Sequence, residues 1–146
     1  VNRLTDSAID WSELVEATAG PGRGAQALFL GTVRDHHAGR AVVGLEYSAY
    51  GAMAESTLEA LIGEATARWP VAVEVRHRLG RLEVGDVAVA VAVAGGHRDE
   101  AFAACRFLIE ELKKRVPIWK RERYADGTEA WVDPTAPTGR APEPAR

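Results

Sequence analysis

The chain has 146 residues, with 18 Lys and Arg against 21 Asp and Glu, a formal net charge of -3, and 27% charged residues of both signs. That length suits one domain with a core of its own, and the mixed charge excludes the global cationic footprint of a nucleic-acid binder. The longest strongly apolar run, residues 87–94, is far too short to cross a bilayer, and the opening VNRLTDSAID has neither the basic nor the apolar part of a leader, so we expect a soluble cytoplasmic protein with no membrane contact.

Asp10 followed by Glu13 has the form of a capping box and predicts a short helix over 11–18, ended by Gly20-Pro21-Gly22. Residues 25–33 (AQALFLGTV) and 42–50 (VVGLEYSAY) read as strands joined by the polar loop RDHHAGR, an expected antiparallel pair. Met53, Leu58, Leu61, Ile62, Ala65 and Trp69 fall near helical spacing and predict an amphipathic helix that Pro70 stops. Residues 71–79 alternate apolar with polar. Residues 87–93 alternate Val with Ala, which predicts a buried central strand with one bulky face and one close-packing face. A second long helix is expected over 99–115, with Phe102, Cys105, Leu108, Ile109 and Leu112 inward and Asp99 and Glu100 at its positive end. After Pro117, residues 118–124 and 129–132 flank Ala125-Asp126-Gly127-Thr128 as a C-terminal β-hairpin. The fold class is therefore α+β, a mainly antiparallel sheet with helices packed on one face. We expect one domain over 1–133 and a Pro-rich flexible tail over 134–146.

All three lysines, Lys113, Lys114 and Lys120, sit in the stretch LKKRVPIWK, while every other basic side chain apart from histidine is arginine. A lysine can be desolvated and exchange its proton where an arginine cannot. The alternative is that Lys113 and Lys114 are solvated charges favoured by a helix C-terminus. Gly95-Gly96-His97-Arg98 lies between a strand and a helix start, where free N–H groups and a guanidinium suit an anion, unless the glycines only make a turn and His97 only caps. Arg34, at a strand end, can clamp a phosphate or pair with Asp35. Side chains of His36 and His37 diverge as chain neighbours, and no further ligand set accompanies them, so no metal is expected. For Arg76 and Arg78, pairing with acids such as Glu74 and Glu83 is favoured over an anion pocket. The single cysteine, Cys105, falls on the apolar face of a helix and reads as a core thiol. Trp119 beside Lys120 offers flat apolar surface for packing or for shielding the amine.

Taken together, FLGTVRDHHAGRAVVGLEYSAYGAMAE, RHRLGRLEVGD, GGHRDEAF and LKKRVPIWKRE resemble the large, catalytic subunit of molybdopterin synthase over about residues 25–133. The resemblance implies an α/β hammerhead-like fold and a sulfurtransferase. Its substrate would be cyclic pyranopterin monophosphate. Sulfur would arrive as a thiocarboxylate on the C-terminal Gly-Gly of a small ubiquitin-like subunit, forming the dithiolene of molybdopterin in molybdenum cofactor biosynthesis. It further implies a homodimer within a heterotetramer, catalytic roles for Lys113 and Lys120, and substrate-anion contacts from Arg34, His97 and Arg98. No cofactor is expected. The family hallmark has a Ser or Thr and a small residue where Gly95-Gly96 stands here. A buried lone cysteine fits an external sulfur donor. The competing expectation is a non-enzymatic α+β oligomer binding an anion or nucleotide as a regulatory module, and a third is an interaction scaffold docking through the Trp119 hairpin.

Overall fold

A computed structural model describes residues 2–132 of the chain. The expected tail over 134–146, and the domain boundary at 133, lie outside the described residues. The elements run β1 (Leu4–Thr5), α1 (Trp11–Thr18), β2 (Ala25–Thr32), β3 (His36–His37), β4 (Arg40–Ala49), α2 (Gly51–Arg68), β5 (Val71–Arg78), β6 (Gly80–Glu83), β7 (Val87–Gly95), α3 (Arg98–Arg115), β8 (Ile118–Tyr124) and β9 (Glu129–Val132). They make two sheets. The first has the order β1-β5-β7-β2, antiparallel except for the β1–β5 pair, and the second runs β3-β4-β8-β9 with β6 beside β4.

β7 organises the first sheet because both of its faces are apolar. Val89, Val91 and Val93 pack with Leu58 and Leu61 of α2 and with Cys105, Leu108 and Leu112 of α3. Ala90 and Ala92, on the other face, leave room for Leu14 of α1. The two long helices thus share one face, and the short α1 covers the other, where small side chains allow its close approach. Asp10 caps α1 by accepting the Ser12 N–H at 3.1 Å. The C-terminal hairpin forms as expected, Lys120 pairing with Val132 and Arg123 with Glu129, and Gly127 takes the positive φ of 86° that the turn needs.

Three local expectations are corrected. β2 and β4 do not pair: β2 lies against β7, with Ala25 opposite Gly95, and β4 lies against β8, with Tyr47 opposite Lys120. The polar loop between them folds on itself instead, His36 and His37 pairing with Ala41 and Arg40, and carries the chain from one sheet to the other. Phe102 is 65% exposed and Met53 60% exposed. Ala101, Ala104, Cys105 and Leu108 form the inner stripe of α3, and Phe102, one helical step of about 100° from Ala101, turns away from it. Ala54 takes the inward place in α2 that the spacing assigned to Met53.

Candidate active site

Where the end of β2, the C-terminal turn of α3 and the middle of β4 and β8 meet, they enclose a cavity of about 500 Å³. Arg34, Lys113 and Lys120 all line it, so three cations far apart in sequence share one space. Each is placed by a separate local cause. Arg34 follows Val33, whose N–H donates to Asp86 O at 3.0 Å and whose carbonyl accepts the Gly85 N–H at 2.8 Å, which pins the strand end. Lys113 stands in the last turn of α3, where the helix dipole favours a cation. Lys120 projects from β8, with Ile118 two residues earlier on the same cavity-facing side. Lys114, on the same helix turn as Lys113, does not line the cavity. Trp119 also points away, its ring edge-on to Tyr50 with centroids 4.7 Å apart.

The wall is more polar than the sequence suggested. Glu122, 3% exposed, presents one oxygen to His37 Nδ1 at 2.5 Å and to the Tyr124 hydroxyl at 3.2 Å. Its other oxygen is 3.9 Å from Lys120 Nζ. Desolvation lowers the Lys120 pKa from the ordinary lysine value; Glu122 opposes that shift, and the charges of Lys113 and Arg34 add to it. His77, 5% exposed, donates Nδ1–H to the Arg78 carbonyl at 2.8 Å and lies edge-on to Tyr47 with centroids 4.9 Å apart. Burial pushes its pKa down to about 4, so at neutral pH it is an uncharged imidazole in the cavity wall. Sequence reasoning passed over His77 and Glu122. The period-two pattern held the signal: His77 continues the inward face of Val73 and Val75, and Glu122 shares a strand face with Lys120.

His97 and Arg98 are exposed and sit at the other end of α3, about 22 Å along the axis from Lys113 by helical rise. They do not line this cavity. The His97 N–H donates to Glu100 Oε1 at 2.7 Å, which secures the helix start. Arg76 pairs with Glu74 at 3.1 Å as expected, whereas Arg78 pairs with Asp86 at 3.5 Å rather than with Glu83. Cys105 is buried at 7% exposure, and desolvation raises its pKa to about 11, the state of an inert core thiol. Among the described residues, no helix is long and apolar enough to cross a membrane.

The family model for the MoaE protein matches residues 4–115. The chain belongs to the MoaE protein family. It is 45% identical over 131 residues to molybdopterin synthase catalytic subunit 1 of Mycobacterium tuberculosis, covering 89% of this chain and 88% of that one. Its fold matches the crystal structure of molybdopterin synthase from Staphylococcus aureus with a TM-score of 0.84 and 35% identity, over 88% of this chain and 94% of that one. The same fold occurs, at a TM-score of 0.72 and 24% identity over 87% of this chain and 86% of that one, in a complex of subunits 1 and 2 of molybdopterin-converting factor from Helicobacter pylori. Membership in the MoaE family brings an enzymatic role in molybdopterin synthesis.

Proposed function

We propose that this chain transfers sulfur from a thiocarboxylated, ubiquitin-like partner subunit to cyclic pyranopterin monophosphate, building the dithiolene of molybdopterin. The observation that carries the reading is the convergence of Arg34, Lys113 and Lys120 on one cavity, with Lys120 partly desolvated and set against Glu122. A cyclic phosphate and a thiocarboxylate are both anions, and they need local cations in a chain whose overall charge is -3. Arg34, fixed at its strand end, holds the phosphate by a charge-assisted fork. Lys113 and Lys120 orient the thiocarboxylate. As the sulfur adds to the pterin side chain, Lys120, whose ammonium is made more acidic by burial, exchanges a proton with the reacting groups. Glu122 gives the Lys120 ammonium a counter-charge, and His77, neutral at pH 7, adds no further cation to a wall that already holds Arg34 and Lys113.

The relatives named as catalytic subunits, and the two-subunit complex of the same fold, support a small partner subunit whose extended C-terminus enters the cavity beside Ile118. His97 and Arg98 serve the reaction in this reading only from a second copy of the chain. β2 is an edge strand that runs from the start of α3, with Ala25 opposite Gly95, to Gly31 and Thr32 in the cavity wall. Antiparallel pairing of β2 with its copy carries the His97–Arg98 corner of one protomer to the cavity of the other. A homodimer thereby completes two anion sites.

Single-turnover conversion with pre-formed thiocarboxylated partner tests the chemistry apart from sulfur loading. Lys113→Arg and Lys120→Arg keep the charge but cannot release a proton near neutral pH, so each should slow conversion by about 10²- to 10⁴-fold. Lys114→Arg should convert at the parental rate. Equal rates in all three variants would remove the lysines from the mechanism and leave an anion-binding regulatory module as the better account.

A further inference from the structure

One polar group in the neighbourhood of the cavity has no part in the proposed reaction. His37 lies in the short hairpin that links the two sheets, its side chain 19% exposed, and its Nδ1 is 2.5 Å from Glu122 Oε1. Glu122 has almost no water to solvate it, so its charge is shared among the donors it can reach: His37, the Tyr124 hydroxyl at 3.2 Å and, at 3.9 Å, Lys120 Nζ. What one donor takes, the others lose. We propose that His37 is a positioning residue for Lys120: by clamping Glu122 it sets how much of that carboxylate is left to hold the lysine ammonium. The proposal rests on the sulfur-transfer reading for its catalytic meaning.

A neutral imidazole gives Glu122 one N–H donor, whereas an imidazolium sets a full positive charge against it. Protonation of His37 therefore weakens the hold of Glu122 on Lys120 and leaves the lysine a stronger acid. The other charged and titratable groups around this carboxylate are few. Tyr47 faces it from β4, His77 of β5 shares the cavity wall with it, and Lys113 and Arg34 act on Lys120 from α3 and from the end of β2. Arg40 lies over the Tyr124 ring at 3.6 Å and is held by Asp126 at 3.2 Å. His36, at the cavity rim, pairs with Asp35 at 2.8 Å. Among the described side-chain hydrogen bonds, only that of His37 reaches the Glu122 carboxylate from outside its own strand.

Because the chain has three lysines, ¹³C labelling at Cε gives a spectrum simple enough to follow Lys120 alone, assigned through Lys120→Arg. In the parent protein the Lys120 signal should move twice, once as the imidazole gains its proton and once with its own titration. His37→Gln keeps a neutral donor, so the lysine titration should stay in place while the lower inflection disappears. His37→Phe removes the donor and leaves Glu122 to Lys120 and the Tyr124 hydroxyl, raising the lysine titration by about one pH unit. A lower inflection that persists in His37→Gln, or a lysine titration identical in all three proteins, overturns the proposal; if His37→Phe fails to fold, His37→Gln still decides it. The single-turnover rate separates this from the sulfur-transfer reading. Full activity of Lys120→Arg alongside an intact His37 inflection would sink the catalytic role of Lys120 and leave the linkage standing.

Discussion

Loss of water acts on three titratable groups of the cavity wall in a common sense, towards the uncharged form. It pushes the Tyr47 hydroxyl up to about 12, aided by the charge of Glu122, drives His77 down to about 4, and lowers Lys120 from the ordinary lysine value. For His77 the consequence reaches stability. Its folded value lies below the ordinary 6.5, so between those limits the unfolded chain binds a proton that the folded chain refuses. Stability from this group is full above pH 6.5 and falls as the pH drops through the window to 4, by up to about 3 kcal/mol. Urea unfolding of the parent and His77→Gln across that range should show the parent's advantage shrinking steadily toward low pH. A difference that stays constant with pH would mean that the histidine titrates alike in both states. Charge on His77 would also repel Lys113, so acid should weaken the site before it unfolds the protein.

At the scale of elements, the Val and Ala alternation of β7 decides how close each layer sits. The Val face supplies bulk to α2 and α3, while Ala90 and Ala92, 0% and 1% exposed, let α1 lie directly on the sheet. Ala92→Leu adds volume where no space exists and should cost about 1–3 kcal/mol in chemical denaturation. Because neither Ala92 nor any residue of α1 lines the cavity, the folded variant should keep its single-turnover rate. A loss of activity without loss of stability would show that the two faces of β7 are coupled. The helix stripes were readable in outline, since Leu58, Leu61, Cys105, Leu108 and Leu112 recur at helical spacing and are all buried. Met53 and Phe102 were misplaced for a different reason: hydrophobicity puts a residue on the list of core candidates, but the angle at which the helix meets its sheet selects among neighbours only one helical step apart.

For the whole molecule, the separation of His97 and Arg98 from the lysines makes a dimer-dependent site the sharpest claim of the proposed function. Arg98→Ala and Lys113→Ala proteins should each be nearly inactive alone. Mixed and allowed to exchange subunits, they form heterodimers in which one cavity has both the intact lysine and the partner's intact arginine. With random exchange, half the dimers carry one such site of two, so about a quarter of parental activity should return. No recovery on mixing, with subunit exchange confirmed by mass, would place the His97–Arg98 corner outside the reaction.

The sequence by itself determined what depends on near neighbours in the chain. Helix stripes, the Val and Ala faces of β7, the turn at Gly127 and the concentration of all lysines in one stretch are local patterns, set by periodicity and backbone preference. The motif run that resembles the molybdopterin synthase catalytic subunit is of the same kind, and the family match agrees with it. Only the tertiary structure decided which strand β2 joins, that Arg34, Lys113 and Lys120 share a cavity while Lys114 does not, and that Glu122 and His37 stand behind Lys120. Those outcomes rest on burial gained between segments far apart in the chain and on the loss of water around charges. Both are set by neighbours that no local pattern names.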